Sequence, residues 1–94
     1  MDIAASSLYL SKETAVKSVD EIFIVICKDD AGQPVTWKGP KGRLGTRTHP
    51  KVHIGSYGTS IIFNRTRVED SGNYTCSVPT TSKSGVFRLV VEGK

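Results

Sequence analysis

The sequence predicts an all-β domain, a sandwich or barrel of short strands, and three observations carry that prediction. Runs rich in Val, Ile, Thr, Phe and Tyr recur along the chain, with Gly, Pro, Asp and Ser between them. No segment sustains the apolar period of a helix. Inside the runs, the parity of apolar positions follows the two-residue period of a strand.

The elements follow in order. Ser7–Leu10 and Thr14–Val19 read as one first strand split in two. Ile22–Lys28 has the strongest strand pattern and is closed by a turn at Asp29–Pro34, where Asp29, Asp30, Ala31 and Gly32 supply loop chemistry. Val35–Lys38 is a short strand. The segment Gly39–Pro50, with Pro40, Gly42, Gly45 and Pro50, reads as a loop holding a brief strand at Arg43–Leu44. Lys51–Ser56 and Thr59–Asn64 flank a turn at Tyr57-Gly58, and Asn73–Val78 and Val86–Glu92 complete the set. Taking Cys27 as inward places Val25 and Phe23 inward as well. By the same parity Val35, Trp37, Ile61, Phe63, Tyr74, Cys76, Val78, Phe87, Leu89 and Val91 point in, which makes one coherent core between two sheets.

A chain of 94 residues fills one domain, not two, so residues 1–94 are read as a single unit. A domain of this size buries only about 60–65% of its unfolded surface, which leaves the core marginal. Cys27 and Cys76 offer a staple. If bonded, they close a loop of about 50 residues, roughly 4 kcal/mol in the chain-entropy model. Such a bond persists only in an oxidising compartment. The longest apolar run, Ile22–Cys27, is far short of the roughly 20 residues of a membrane-spanning helix. Asp2 stands where a signal peptide would carry positive charge, and no apolar stretch follows it. Met1 therefore reads as a start residue added to a domain excised from a longer protein, and any membrane attachment would come from parts not in this sequence.

Cys27, Trp37 and the run Asp70-Ser71-Gly72-Asn73-Tyr74-Thr75-Cys76 together resemble the immunoglobulin superfamily, specifically its I-set. The resemblance spans nearly the whole chain. It implies a two-sheet Greek-key sandwich with one intersheet disulfide, Cys27 to Cys76, and the Trp37 indole packed against it. It implies that Tyr74 ties its hydroxyl to upstream backbone, and that Asp70 pairs with a basic residue at the start of the Lys51–Ser56 strand, Lys51 itself. Thr66 departs from the pattern, because an apolar residue usually fills its place. Val35-Thr36-Trp37-Lys38-Gly39-Pro40-Lys41-Gly42-Arg43-Leu44 is similar to the corresponding stretch in the first domain of neural cell adhesion molecules. On that resemblance the expected role is extracellular or cell-surface recognition of a protein partner, homophilic or heterophilic.

Three features bear on binding. Ile22, Ile24 and Ile26 alternate with inward residues and Ile62 shares their outward parity, so the four can form an apolar patch of the kind that marks a protein interface. The bland alternative is that β-branched residues simply favour strands. Charge is unevenly spread. Residues 1–30 set Lys12, Lys17 and Lys28 against six acids, whereas residues 31–68 carry seven cations and no acid. Lys38, Lys41, Arg43 and Arg47 in that stretch suit a sulfated polysaccharide such as heparan sulfate, the alternative being an ordinary solvated loop. Nucleic acid is not expected, since no stacking aromatics are interleaved with the charge. Asn64-Arg65-Thr66 and Asn73-Tyr74-Thr75 fit the glycosylation sequon, and both asparagines have outward parity.

No catalytic constellation, cofactor site or metal site is expected. His49 and His53 are separated by Pro50 and lack a third ligand, and Asp70-Ser71 belongs to a turn. A third reading, an intracellular structural domain of the giant muscle-protein type, predicts free thiols and no glycans.

Overall fold

The computed structural model describes residues 8–56 and 58–93; the expectations placed on Met1, Asp2, Ser7 and Tyr57 lie outside the described residues. The strands are β1 (Leu8–Leu10), β2 (Thr14–Ser18), β3 (Ile22–Asp29), β4 (Thr36–Gly39), β5 (Gly42–Arg43), β6 (Lys51–Gly55), β7 (Gly58–Asn64), β8 (Gly72–Ser77) and β9 (Ser84–Glu92). They form an all-β sandwich of a four-stranded sheet, β1-β3-β7-β6, and a five-stranded sheet, β2-β9-β8-β4-β5. The two halves of the first strand go to different sheets. β1 pairs antiparallel with β3, while β2 crosses over and runs parallel to β9, with Thr14 opposite Arg88 and Ser18 opposite Glu92.

Strand boundaries differ from the sequence reading by one or two residues. The short strand after the first turn is Thr36–Gly39 rather than Val35–Lys38, and the last strand begins at Ser84. One turn of 3-10 helix, which strand periodicity does not predict, occupies Val68–Asp70.

Alternation built the core as parity requires. Phe23, Val25, Cys27, Trp37, Ile61, Phe63, Tyr74, Cys76, Val78, Phe87, Leu89 and Val91 are buried, with Val35 half-buried at the margin. Phe23 and Phe63 stack at 4.6 Å between centroids, and Tyr74 meets Phe63 edge-on at 5.2 Å, geometries that aromatic pairs prefer. The Cys27–Cys76 disulfide joins the sheets. Trp37 lies directly across from Cys76 on the same inward face, and its indole N–H donates to the Thr59 carbonyl at 3.1 Å, so the ring is buried without an orphaned donor.

Gly72 opens β8 at φ +142, and a Cβ there would come within 2.5 Å of Pro40 Cγ. Only glycine meets both demands, which is why the turn before Tyr74 carries it.

Candidate recognition surfaces

The motif that frames the molecule is assembled at one pole. The Tyr74 hydroxyl donates to the carbonyl of Asp70, four residues upstream. Burial, and then the Asp70 charge, push the Tyr74 pKa well above its ordinary value, so the phenol stays a donor at any physiological pH. Asp70 is buried, and its carboxylate accepts the Arg67 N–H at 2.8 Å. Its basic partner is His49, whose Nε2 lies 3.0 Å from Asp70 Oδ2. This corrects the expectation that Lys51 would pair with Asp70. Lys51 begins β6 and is exposed opposite Ile62 on the outer face of the four-stranded sheet, while the chain before it brings His49 to the carboxylate.

That outer face carries the isoleucines. Ile24 stands directly opposite Ile62, and Ile22 opposite Asn64. Ile22 is 70% exposed and Ile24 46%. Ile26 and Ile62 are half-buried, Ile26 at the β1 side, where its N–H and C=O bond to Ser11.

The basic residues do not stay together. Lys38 and Arg43 face each other across β4 and β5 on the outer face of the five-stranded sheet, beside Thr75 of β8. Lys41 lies in the intervening turn, Arg47 in the segment before β6, and Lys51 on the other sheet. Lys41 and Arg43 also line a cleft of about 310 Å³ whose further walls include His49, Glu69, Asp70 and Tyr74. The acid-free stretch of sequence is thus met in space by two carboxylates from the 3-10 turn.

Asn64 and Asn73 are both exposed. Asn64 adjoins the isoleucines, and Asn73 accepts from Arg88 Nε at 3.2 Å on the five-stranded sheet. A family model for the immunoglobulin domain matches residues 25–88.

The chain belongs to the immunoglobulin domain family. This immunoglobulin domain is similar in structure to the Ig-like domain of human leucine-rich repeat-containing protein 4, with TM-score 0.73, 18% identity, and coverage of 100% of this chain and 94% of that one. It is similar also to the Ig-like domain of human obscurin-like protein 1, with TM-score 0.71, 15% identity and coverage of 99% and 92%. A chimeric titin Z1Z2 functionalized with an exogenous decorin peptide matches with TM-score 0.70, 12% identity and coverage of 95% and 98%. Identities this low carry the fold alone. No curated protein sequence matches significantly.

Immunoglobulin domains are typically non-enzymatic and commonly mediate protein interactions. Among the described residues of this immunoglobulin domain, no group of three or more His, Cys, Asp or Glu could hold a metal ion, and no helix is long and apolar enough to cross a membrane. The exposed apolar residues that sequence alone did not single out include two features of note. Val16 and Val90 sit opposite each other on the outer face of the five-stranded sheet, with Val86 on the same face. Parity from the buried Leu89 reaches Val86 and Val90 on the same strand. Ile54 on β6 is the other, and no sequence signal marks it, because its parity is that of a core residue.

Proposed function

We propose that this domain is an extracellular or cell-surface recognition module of the I-set type, acting in adhesion, and that it binds a protein partner through the outer face of its four-stranded sheet. The observation that carries this reading is the exposure of Ile22 and Ile24 beside Ile62 on a strand whose alternate residues fill the core. Contiguous exposed aliphatics of this kind are rare on surfaces that meet only water. The Cys27–Cys76 disulfide supports an oxidising location over the intracellular muscle-protein reading, although titin and obscurin-like domains share the fold. The similarity of Val35–Leu44 to the first domain of neural cell adhesion molecules supports a neural setting. Glycans at Asn64 and Asn73 are part of this reading, and one on Asn64 would border the binding face.

The second reading is a sulfated-polysaccharide module, favoured by the pairing of Lys38 with Arg43 across two strands and by Lys41 in the turn between them. Salt separates the two. Beads coated with the domain are tested for binding to one another, to neuronal cell surfaces and to immobilised heparin. Binding through the isoleucine face survives about 0.5 M salt, because its energy is apolar burial and not screened charge. The double variant Ile24→Lys, Ile62→Thr abolishes it without unfolding the domain. If that variant binds as the parent does, and binding instead collapses with salt or with Lys38→Ala and Arg43→Ala, the isoleucine reading is wrong and the polysaccharide reading replaces it.

A further inference from the structure

The flank of the sandwich between β5 and β6 is open. β5 stops at Arg43 after two residues, too short to run alongside the five residues of β6. Ile54 lies there. Its cross-strand partner Thr59 is buried, which gives Ile54 the parity of a core residue, yet it is 75% exposed. It borders a cleft of about 190 Å³ whose apolar walls are Val35, Trp37, Leu44 and Val52.

β6 is also an outermost strand, bonded on one side only, to β7. The Val52 N–H points away from β7 and donates to the Gly45 carbonyl at 2.8 Å. In an antiparallel ladder each residue turns both backbone groups to one side, and neighbours alternate. Ile54, two residues along, therefore turns its N–H and C=O outward as well. The loop at Gly45 covers Val52, and among the described residues no such cover reaches Ile54.

We propose that this edge pairs with β6 of a second copy of the chain, antiparallel and centred on Ile54. An outward donor and acceptor on one residue fit an extended backbone better than any other occupant. A two-fold axis between the two Ile54 residues lets each N–H donate to the other's carbonyl, a self-complementary contact. Both isoleucine side chains then lie on the core side of the joined sheet, against each other and over the two clefts. Charge agrees with this register. It sets the two Lys51 residues six positions apart, about 20 Å, beyond the screening length at physiological salt. A register centred on Val52 would bring the lysines within about 7 Å and would need the N–H that Gly45 already holds. Two backbone hydrogen bonds and one apolar pair make a weak contact, well under the area of a stable dimer.

The surface is separate from the isoleucine face of the four-stranded sheet, and the two fail separately. Sedimentation of the 94-residue chain from about 10 µM to about 1 mM, with amide exchange at Ile54 over the same range, tests the proposal. The sedimentation coefficient rises with concentration, and exchange at Ile54 slows by about fivefold or more. Ile54→Asp removes the rise, while Ile24→Lys, Ile62→Thr retains it. A coefficient independent of concentration overturns the proposal, as does a rise that persists in Ile54→Asp. A rise lost only in the Ile24 and Ile62 variant assigns self-association to the other face and overturns it equally. Should Ile54→Asp not fold, exchange at Ile54 in the unaltered chain decides alone, and no slowing there is a negative answer.

Discussion

Thr66 is buried at a position where the resemblance led to an expectation of an apolar side chain. Its hydroxyl donates to the Ser18 carbonyl at 2.6 Å and accepts the Glu21 N–H at 2.9 Å, while its own N–H and C=O bond to Glu21 and Asp20. One side chain thereby closes the β2–β3 turn against the segment after β7. Both partners hold a non-glycine residue in the left-handed region, Asp20 at φ 67 and Arg65 at φ 69, and the two side chains pair at 3.3 Å. Threonine is needed because valine, its near isostere, would take a partner from the part-buried Glu21 N–H and Ser18 carbonyl. Thr66→Val is expected to lower the unfolding free energy by about 2 kcal/mol in urea titration. A variant as stable as the parent would show that these bonds are replaced by water. The sequence exposed Thr66 as a departure but not its reason, since the reason lies in contacts with residues 45 and more positions away. His49 escaped for a similar cause. The choice between His49 and Lys51 depends on the path of the preceding segment, which alternation does not describe.

Where β3 ends, the turn chemistry read from Asp29 to Gly32 is real but incomplete. The Gly32 N–H donates to the Asp29 carbonyl at 3.0 Å, and the Gln33 N–H donates to the Asp29 carboxylate at 3.0 Å. Yet Asp29 is also the buried last residue of β3 and is ion-paired with Lys83, which reaches Asp30 at 3.6 Å as well. The β3–β4 turn and the β8–β9 loop are thus tied together. The Lys83 hydrogen bond holds the Asp29 carboxyl below its ordinary pKa of 3.8, against the opposing effect of burial and with help from the Gln33 N–H. The stability this contributes is complete above the ordinary carboxylate pKa and is lost as pH falls through the lowered folded value. Lys83 is held above its ordinary value by the same bond, so its contribution is complete below that value and is lost as pH rises through the raised one. Asp29→Asn is therefore expected to flatten the fall in urea midpoint below about pH 4 and to lower the midpoint at neutral pH. An unchanged acid limb would mean that other carboxylates govern it. The strands on either side were legible because period two needs no partner. The tie was not, because nothing in a Gly- and Asp-rich turn says which loop will fold over it.

The two sheets share one core, and a single covalent bond crosses it. Cys27 and Cys76 are 49 positions apart, so the bond restricts the unfolded chain by about 4 kcal/mol, a large share of a small domain's stability. Replacing both cysteines by alanine is expected to remove roughly that amount in urea titration, and a midpoint that does not move would place the stability in packing alone. At this scale the sequence was most informative about the interior and least about the open flank. Every buried strand position carries the same two-residue signal, whereas the exposure of Ile54 depends on how short β5 is and on what the opposite sheet fails to cover.

The split first strand and the course of β9 have a geometric outcome. Leu8 lies beside Asp29 at one pole, and Glu92 beside Ser18 at the other. The described chain therefore enters at one end of the sandwich and leaves at the other, like thread through a bead. The entering strand β1 also lies at the opposite edge of its sheet from the β6 rim, with β3 and β7 between them.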